Sequence, residues 1–449
     1  MNRYHCFSVG GRHLLHLPRS GRLFELEAPA MEALRQSGER LDSPAPADGE
    51  DPLSELADLL AEEPTEPVLD PDRGAEAVPP SRRFSIYVAG SCNLSCHYCW
   101  NDRGTFGRKA SIMGRPAAER VVERISEVFA EDGPCSVAFY GGEPLLNFEI
   151  IRFVTLALVA RAAPLRRPIR FTVDTNGTLL DADKIAFLAQ HFAQVGISLD
   201  GDQAIHDRNR PFLAGGGSWG AVVSKLDRFP DRSKLLLRAT LTQSSPSYLD
   251  TFRWLCALGA GGVQVAYAHD LETNPAACAP QLIVPLDRQR AEKVEFADWW
   301  IGELARHPVG EVPRYLDGLL ADLRAFAHAQ RSVRPCGAGL HLRAFDPDGR
   351  EVPCILFAGI ETLPEPAVAE PVPFPSWNAE TTEPCRSCWA RYDCSGGCFA
   401  TNLQMTGDLF RPHPQECAEA MSNLEVRLYT LALAKTICPQ HLAGAAGRG

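Results

Sequence analysis

The 449-residue chain has no apolar run approaching the roughly 20 residues needed to span a bilayer, so no membrane-spanning helix and no membrane partner are expected. Its first residues, M-N-R-Y-H-C-F, lack the apolar core of a signal peptide, and the expected location is cytoplasmic. Basic charge is not in excess: 45 Lys and Arg stand against 56 Asp and Glu, for a net charge of -11. Without a basic stripe to neutralise phosphates, a nucleic-acid partner is not expected either. What is abundant is cysteine, with 15. In a reducing compartment an odd, clustered set of thiols points to metal or catalytic use rather than a disulfide framework.

The length suggests about three domains. Residues 4–27 alternate apolar and polar positions around Gly10-Gly11 and a second turn at 18–21, which predicts a three-stranded meander. Helices are expected at 29–35 and at 52–62, where Leu53, Leu56, Leu59 and Leu60 recur at helical spacing. Prolines and acidic residues then dominate up to residue 83 and read as a linker.

From Phe84 onward, apolar runs at 84–89, 136–140, 169–173, 194–199, 234–241 and 263–267 alternate with helical stretches. One such stretch is 116–130, with Val121, Val122, Ile125, Val128 and Phe129 on one face. Six βα units predict an α/β fold with a parallel sheet and right-handed crossovers. Further helices are expected at 294–305 and 315–329, the second with a core face of Leu316, Leu319, Leu320, Leu323 and Phe326.

Directly after the first run comes S-C-N-L-S-C-H-Y-C-W-N, in which Cys92, Cys96 and Cys99 form C-x3-C-x2-C. Three thiolates on one loop can hold three irons of a 4Fe-4S cube and leave the fourth open, since a saturated cluster takes four. Zinc would need a fourth ligand nearby, and His97 sits inside the motif at an awkward spacing. With Tyr98 before the last cysteine and Gly141-Gly142-Glu143-Pro144 downstream, the chain resembles the radical S-adenosylmethionine (SAM) superfamily.

The resemblance implies a partial (β/α)6 TIM-like barrel, a 4Fe-4S cluster on the three cysteines with SAM on its open iron, and cleavage of SAM to a 5'-deoxyadenosyl radical that abstracts hydrogen. By the same likeness Tyr98, Gly141, Gly142, Glu143, Pro144, Asn176, Ser198, Asp200 and Arg210, at or near successive strand ends, are expected to bind SAM. A strand-end serine and a guanidinium suit ribose and carboxylate groups. The general base is left unassigned.

Cys336, Cys354, Cys385, Cys388, Cys394, Cys398 and Cys417 match the spacing of the SPASM extension, which implies two auxiliary iron-sulfur clusters of the 4Fe-4S type. A four-thiolate zinc site on Cys385, Cys388, Cys394 and Cys398 is the alternative reading of these residues. The family pattern assigns Cys385, Cys388, Cys394 and Cys417 to one cluster and Cys336, Cys354 and Cys398 to the other. The eighth cysteine that related enzymes carry shortly before Cys336 is missing, so an open auxiliary iron able to take a substrate thiolate is expected, unless Cys278 reaches it. Cys6, Cys135, Cys256 and Cys438 read as small apolar residues.

The expected organisation is a small winged-helix-like, leader-peptide-binding module at 1–65, a linker at 66–83, the radical SAM core at 84–310, the SPASM domain with a bridging helix at 311–430 and a tail at 431–449. The stretch 206–219 together with that module is similar to peptide maturases that build thioether crosslinks, including those of sactipeptides and of the quinohemoprotein amine dehydrogenase small subunit. A peptide or small protein with a leader sequence is then the expected substrate, and a flavodoxin or ferredoxin the electron donor. Two alternatives are a sulfatase-maturing, formylglycine-forming enzyme and a non-catalytic iron-sulfur electron carrier. In the sulfatase subgroup an aspartate base follows the cysteine corresponding to Cys354; here that place is Ile355.

Overall fold

The alternating residues near the amino terminus become three antiparallel strands, β1 (His5–Val9), β2 (Arg12–Leu17) and β3 (Arg22–Leu26). Gly10 and Gly11 join the first two with φ of +55° and +76°, the positive pair that a two-residue hairpin demands. Helix α1 (Ala28–Ser37) follows, and its Leu34 is buried in one cluster with Leu15 and Leu17. This is the expected meander and first helix. The computed structural model describes residues 4–37, 62, 64, 82–107, 109–130, 134–166, 168–269, 279–328, 336–339, 342–358 and 379–443. The helix expected at 52–62 lies outside them except for Glu62, and so does the expected linker up to residue 81.

By its internal contacts the chain divides into two compact units, one of residues 1–77, 286–335 and 377–449 and one of residues 78–285 and 336–376. The second is built on β4 (Arg82–Gly90), β5 (Ser111–Ile112), β6 (Cys135–Gly141), β7 (Ile169–Thr175), β8 (Phe192–Ser198), β9 (Leu235–Leu241), β10 (Gly262–Tyr267), β11 (Leu342–Phe345) and β12 (Glu351–Val352). The strand order is β10-β9-β8-β7-β6-β4-β11-β12, with β5 beside β4. All six strands expected from the sequence are present and run parallel. Each is the spatial neighbour of the next in sequence, so every crossover steps to the adjacent strand and the sheet is the open, partial form of a barrel.

The crossovers carry α2 (Arg115–Ser126), α3 (Phe148–Ala162), α4 (Ala182–His191), α5 (Gln203–Asn209), α6 (Trp219–Leu226) and α7 (Tyr248–Ala257). Every second strand residue is buried, among them Val137, Phe139, Phe171, Val173, Leu237 and Ala239. The intervening positions, such as Tyr140, Asp174, Arg238 and Gln264, remain partly accessible. The sheet therefore has one apolar face and one that is open and polar. The helix expected at 116–130 is α only to Ser126 and closes as a 3-10 turn, Glu127–Ala130. Strand β11 pairs in parallel with β4, so a segment expected in the SPASM extension extends the barrel sheet instead.

The first unit continues through α8 (Leu286–Leu304), α9 (Arg314–His328), α10 (Arg391–Cys394), α11 (Phe399–Thr406), α12 (Pro414–Ile437) and α13 (Pro439–Leu442). Helix α8 starts eight residues before the expected 294, because its polar first turns bury Gln289 and Glu292 rather than apolar residues. Helix α9 buries Leu316, Leu320, Leu323 and Phe326, and Leu319 is only half-buried. Helix α12 runs unbroken through residue 430, where a tail was expected to begin. It is tied to α8 by Tyr429 donating to Asp298 at 2.5 Å and to β1 by His5 Nε2 and Glu425 at 2.8 Å. Among the described residues no helix is long and apolar enough to cross a membrane.

Candidate active site

Strand β4 changes register against β6 between Tyr87 and Ala89 and then releases the loop that carries Cys92, Cys96 and Cys99. Backbone bonds hold this loop along its length. Glu143 N donates to Ser91 O (2.8 Å), Leu213 N to Asn93 O (2.9 Å), Ser95 N to Pro211 O (2.9 Å) and His97 N to Asn209 O (3.1 Å). The residues after β6 and the segment after α5 thus clamp it from two sides. The first clamp tolerates no side chain: a Cβ on Gly142 would lie 2.2 Å from Arg103 O and 2.4 Å from Ser91 O.

Every sulfur of the loop has an N–H aimed at it. Leu94 N and Asn176 Nδ2 approach Cys92 Sγ at 3.4 and 3.7 Å, Arg210 Nη1 approaches Cys96 Sγ at 4.0 Å, and Arg103 N donates to Cys99 Sγ at 3.1 Å. Burial pushes the Cys92 thiol up to about 11 and the Cys96 thiol up to about 12, the Cys99 thiol adding to both shifts. Such thiols hold their protons until a cation displaces them, and N–H donors to sulfur are what tune an iron-sulfur centre. In donor set and in the donors around it, the loop suits a cluster.

The same cavity, about 410 Å³, is lined by the three cysteines and by Tyr98, Gly141, Gly142, Asn176, Ser198 and Arg210. Three other residues expected at SAM, Glu143, Pro144 and Asp200, are buried and are not among its lining residues. Glu143 accepts from Leu145 N (2.9 Å), Thr175 Oγ1 (2.6 Å) and Asn176 N (2.7 Å), which ties the ends of β6 and β7 together. Asp200 accepts from Tyr98 Oη (2.5 Å), Arg210 Nε (3.0 Å), Asn209 Nδ2 (3.3 Å) and Thr240 N (3.0 Å). Its oxygens are consumed in holding the groups that do face the cavity. His206 is also structural: it accepts from Asp200 N and contacts Ser218 Oγ, and burial pushes it down to about 4, so it stays neutral.

Sequence reasoning missed Tyr140, Asp174, Arg238, Gln264, Tyr267 and His269, which complete the cavity together with Ile355. Tyr140, Asp174, Arg238 and Gln264 stand at the strand positions that alternate with the buried ones, and reading each strand's second face would have found them.

In the first unit Cys385, Cys388, Cys394 and Cys417 lie close enough for their charges to interact, and burial pushes Cys385 up to about 12 and Cys417 up to about 11. Ser395, Gly396 and Gly397 all have positive φ, and the N–H groups of both glycines bond Cys394. Cys398 caps α11 in this unit, whereas Cys336, exposed, and Cys354, buried, belong to the other. Cys278 lies outside the described residues. Cys135 and Cys438 are buried as expected, Cys6 and Cys256 only partly.

Residues 86–270 match the Radical SAM superfamily. An Archaeoglobus fulgidus protein without an assigned function is 27% identical over 358 residues, 74% of this chain and 78% of its own length. The cysteine-type anaerobic sulfatase-maturating enzyme of Clostridium perfringens is 30% identical over 160 residues, but that alignment spans only 34% of this chain and 41% of the enzyme. The PqqA peptide cyclase of Gluconobacter oxydans is 24% identical over 72% of this chain and 87% of its own. Among solved structures, native anSMEcpe with bound AdoMet and Cp18Cys peptide superposes with a TM-score of 0.63 at 20% identity, over 80% of this chain and all of that one. Streptococcus suis SuiB gives 0.50 at 15% identity, over 92% and 98%. These two share the fold. Residues 86–270 are thus a domain that matches the Radical SAM superfamily, set in that fold.

Proposed function

We propose that this chain is a peptide maturase that holds a 4Fe-4S cluster on Cys92, Cys96 and Cys99, binds SAM beside it, and installs a sulfur-to-carbon thioether crosslink in a ribosomally made peptide or protein. When bound, cluster and SAM together supply one-electron cleavage of a carbon-sulfur bond and hydrogen-atom abstraction. The chain's own residues bind and aim. Gly141 and Gly142 let backbone polar groups approach a ligand closely. Ser198 and Arg210 offer a hydroxyl and a guanidinium to ribose and carboxylate groups, with Arg210 fixed by Asp200. Cys385, Cys388, Cys394 and Cys417 would hold one auxiliary cluster. An electron donor such as a flavodoxin or ferredoxin supplies the reductant, in a cytoplasmic setting.

The observation that carries the reading is the cavity itself, with three thiols on one wall and polar strand residues on the other. Peptide chemistry is supported by the relatives, one a peptide cyclase and one a sulfatase-maturating enzyme, and by a shared fold with a structure that contains a peptide. Between the two chemistries Ile355 favours the crosslink, since it lines the cavity and offers no proton acceptor where a formylglycine-forming enzyme would place its aspartate.

Co-expression with a cysteine-containing peptide encoded beside this chain, followed by mass spectrometry, tests the proposal. Loss of two hydrogens that maps to a cysteine and a partner residue is the expected result. Conversion of cysteine or serine to an aldehyde would shift the assignment to formylglycine formation. Reduced protein that yields no 5'-deoxyadenosine from SAM would make it an electron carrier.

A further inference from the structure

Three residues on the open face of the barrel sheet form a constellation separate from the residues expected at the cluster and SAM. Arg238 Nη1 on β9 donates to Asp174 Oδ2 on β7 at 2.5 Å, and the pair reaches across β8. The strand residue it crosses is Gly196, register partner of Asp174. A Cβ on Gly196 would fall 2.0 Å from Asp174 Oδ1 and 3.4 Å from Arg238 Cδ, so a side chain here would push Asp174 out of the position in which it meets Arg238.

Stability does not account for it. The two side chains are 30% and 39% exposed, and an ion pair as wet as that adds little to folding. A glycine inside a strand subtracts from it. Both charges line the cavity, where Asp174 is the one carboxylate among the lining residues. Asp174 Oδ1 and Arg238 Nε and Nη2 have no hydrogen-bond partner among the described residues. An acceptor and two donors therefore stand side by side on residues that line the cavity.

In an extended chain, the N–H and C=O of one residue point to the same side, the edge that an antiparallel neighbour reads in a hydrogen-bonded pair. We propose that Asp174 and Arg238, with Gly196 making room for them, bind one residue of a substrate peptide by that edge, Asp174 Oδ1 accepting its N–H and Arg238 donating to its C=O. The site rests on the reading of the substrate as a peptide. It explains how a cavity with polar walls holds a chain irrespective of side chain. Asp174 lies two residues before Asn176, so the gripped residue sits about one side-chain layer, roughly 7 Å, deeper than the strand-end groups.

N-acetylglycine N'-methylamide, a single residue with both edge groups, is the probe, observed by saturation-transfer NMR with oxidised holoenzyme and SAM. The expected result is binding that falls at least tenfold for N-acetylsarcosine N'-methylamide, which lacks the N–H. The same loss is expected for Gly196→Ala and Arg238→Met, while the SAM-perturbed electron paramagnetic resonance spectrum of the reduced cluster stays as in wild type. Absence of binding, equal binding of both probes, or equal binding by wild type and variants would overturn the site. So would equal competition by acetamide, which would make a side-chain carboxamide the ligand. The probe comparison on wild-type protein needs no variant to fold. If co-expressed peptide returns unmodified while the blocked glycine still binds, the proposed function fails and the site stands; the opposite pair of results removes the site alone.

Discussion

Asp200 and Arg210 form a buried ion pair, Nε to Oδ1 at 3.0 Å, at the point where the barrel sheet meets the three-cysteine loop. The aspartate is fully buried and also accepts from Tyr98 Oη at 2.5 Å, while the far end of the same guanidinium approaches Cys96 Sγ. One carboxylate thus orients both a loop residue and the cation nearest a sulfur. Removing one partner of a buried pair typically costs about 3–5 kcal/mol, because the other charge is stranded. Asp200→Asn is expected to lower the thermal midpoint of the apoprotein and to weaken SAM binding at least tenfold, measured by anaerobic calorimetry and by titration of the SAM-induced change in the cluster spectrum. Asp200→Ala should do worse on both.

Glu143 predicts a pH dependence of the opposite sense to that of an ordinary surface carboxylate. Burial pushes it up to about 7 from 4.5, against the lowering effect of its bonds from Thr175, Asn176 N and Leu145 N. Between these two values the folded chain keeps a proton that the unfolded chain has lost, so this group's contribution falls as pH rises, by about 3 kcal/mol across the window. Glu143→Gln should flatten that slope in urea unfolding curves recorded from pH 4.5 to 7. It should also cost about 1–3 kcal/mol throughout, because the amide NH2 would meet the donor Asn176 N–H.

The strands and the cysteine loop were legible because local pattern decides them. Apolar residues at every second position from Leu235 to Leu241 can bury only one face, and three cysteines within eight residues leave few alternatives. What escaped was set by pairs distant in sequence. Asp174 falls one residue past the run at 169–173 and Arg238 inside the run at 234–241, and neither draws notice until the fold brings them together over Gly196. Glu143 and Asp200, expected to touch SAM, instead spend their carboxylates on neighbours from strands, loops and a helix end. The early start of α8 escaped for a related reason: its buried first turns are polar, and only tertiary contact identifies them as interior.

Gly142 tests how tightly the loop must be seated. Its Cβ would strike two backbone oxygens, Arg103 O and Ser91 O, neither of which can swing aside as a side chain could. Gly142→Ala is therefore expected to displace the loop and to lower iron and sulfide bound by Cys92, Cys96 and Cys99. A readout in a background with Cys336, Cys354, Cys385 and Cys388 replaced by alanine isolates that site. Gly107→Ala, in the same loop region but with open space around its Cβ position, is the control; its φ of +77° makes it slightly strained yet leaves iron content unchanged.

The amino-terminal sheet offers a last test, because its contacts are not those of a detachable module. His5 stacks on Trp389 with ring centroids 3.6 Å apart and planes 4° from parallel, and the fully buried His16 lies 3.4 Å from Asp393. Those two partners are the immediate neighbours of Cys388 and Cys394. The sheet further engages α12 through Gly10, where a Cβ would meet the Tyr429 ring, and through Arg12 donating to Thr436. A peptide-binding module that merely tethers substrate could be removed without loss of metal. Here, deletion of residues 1–37 strips one wall from the four-cysteine segment and exposes Trp389. The expected outcome, in protein whose first-loop cysteines are replaced by alanine, is a loss of most of the iron bound at Cys385, Cys388, Cys394 and Cys417. Full retention of that iron, with only peptide binding lost, would return the sheet to the role of a tethered recognition element.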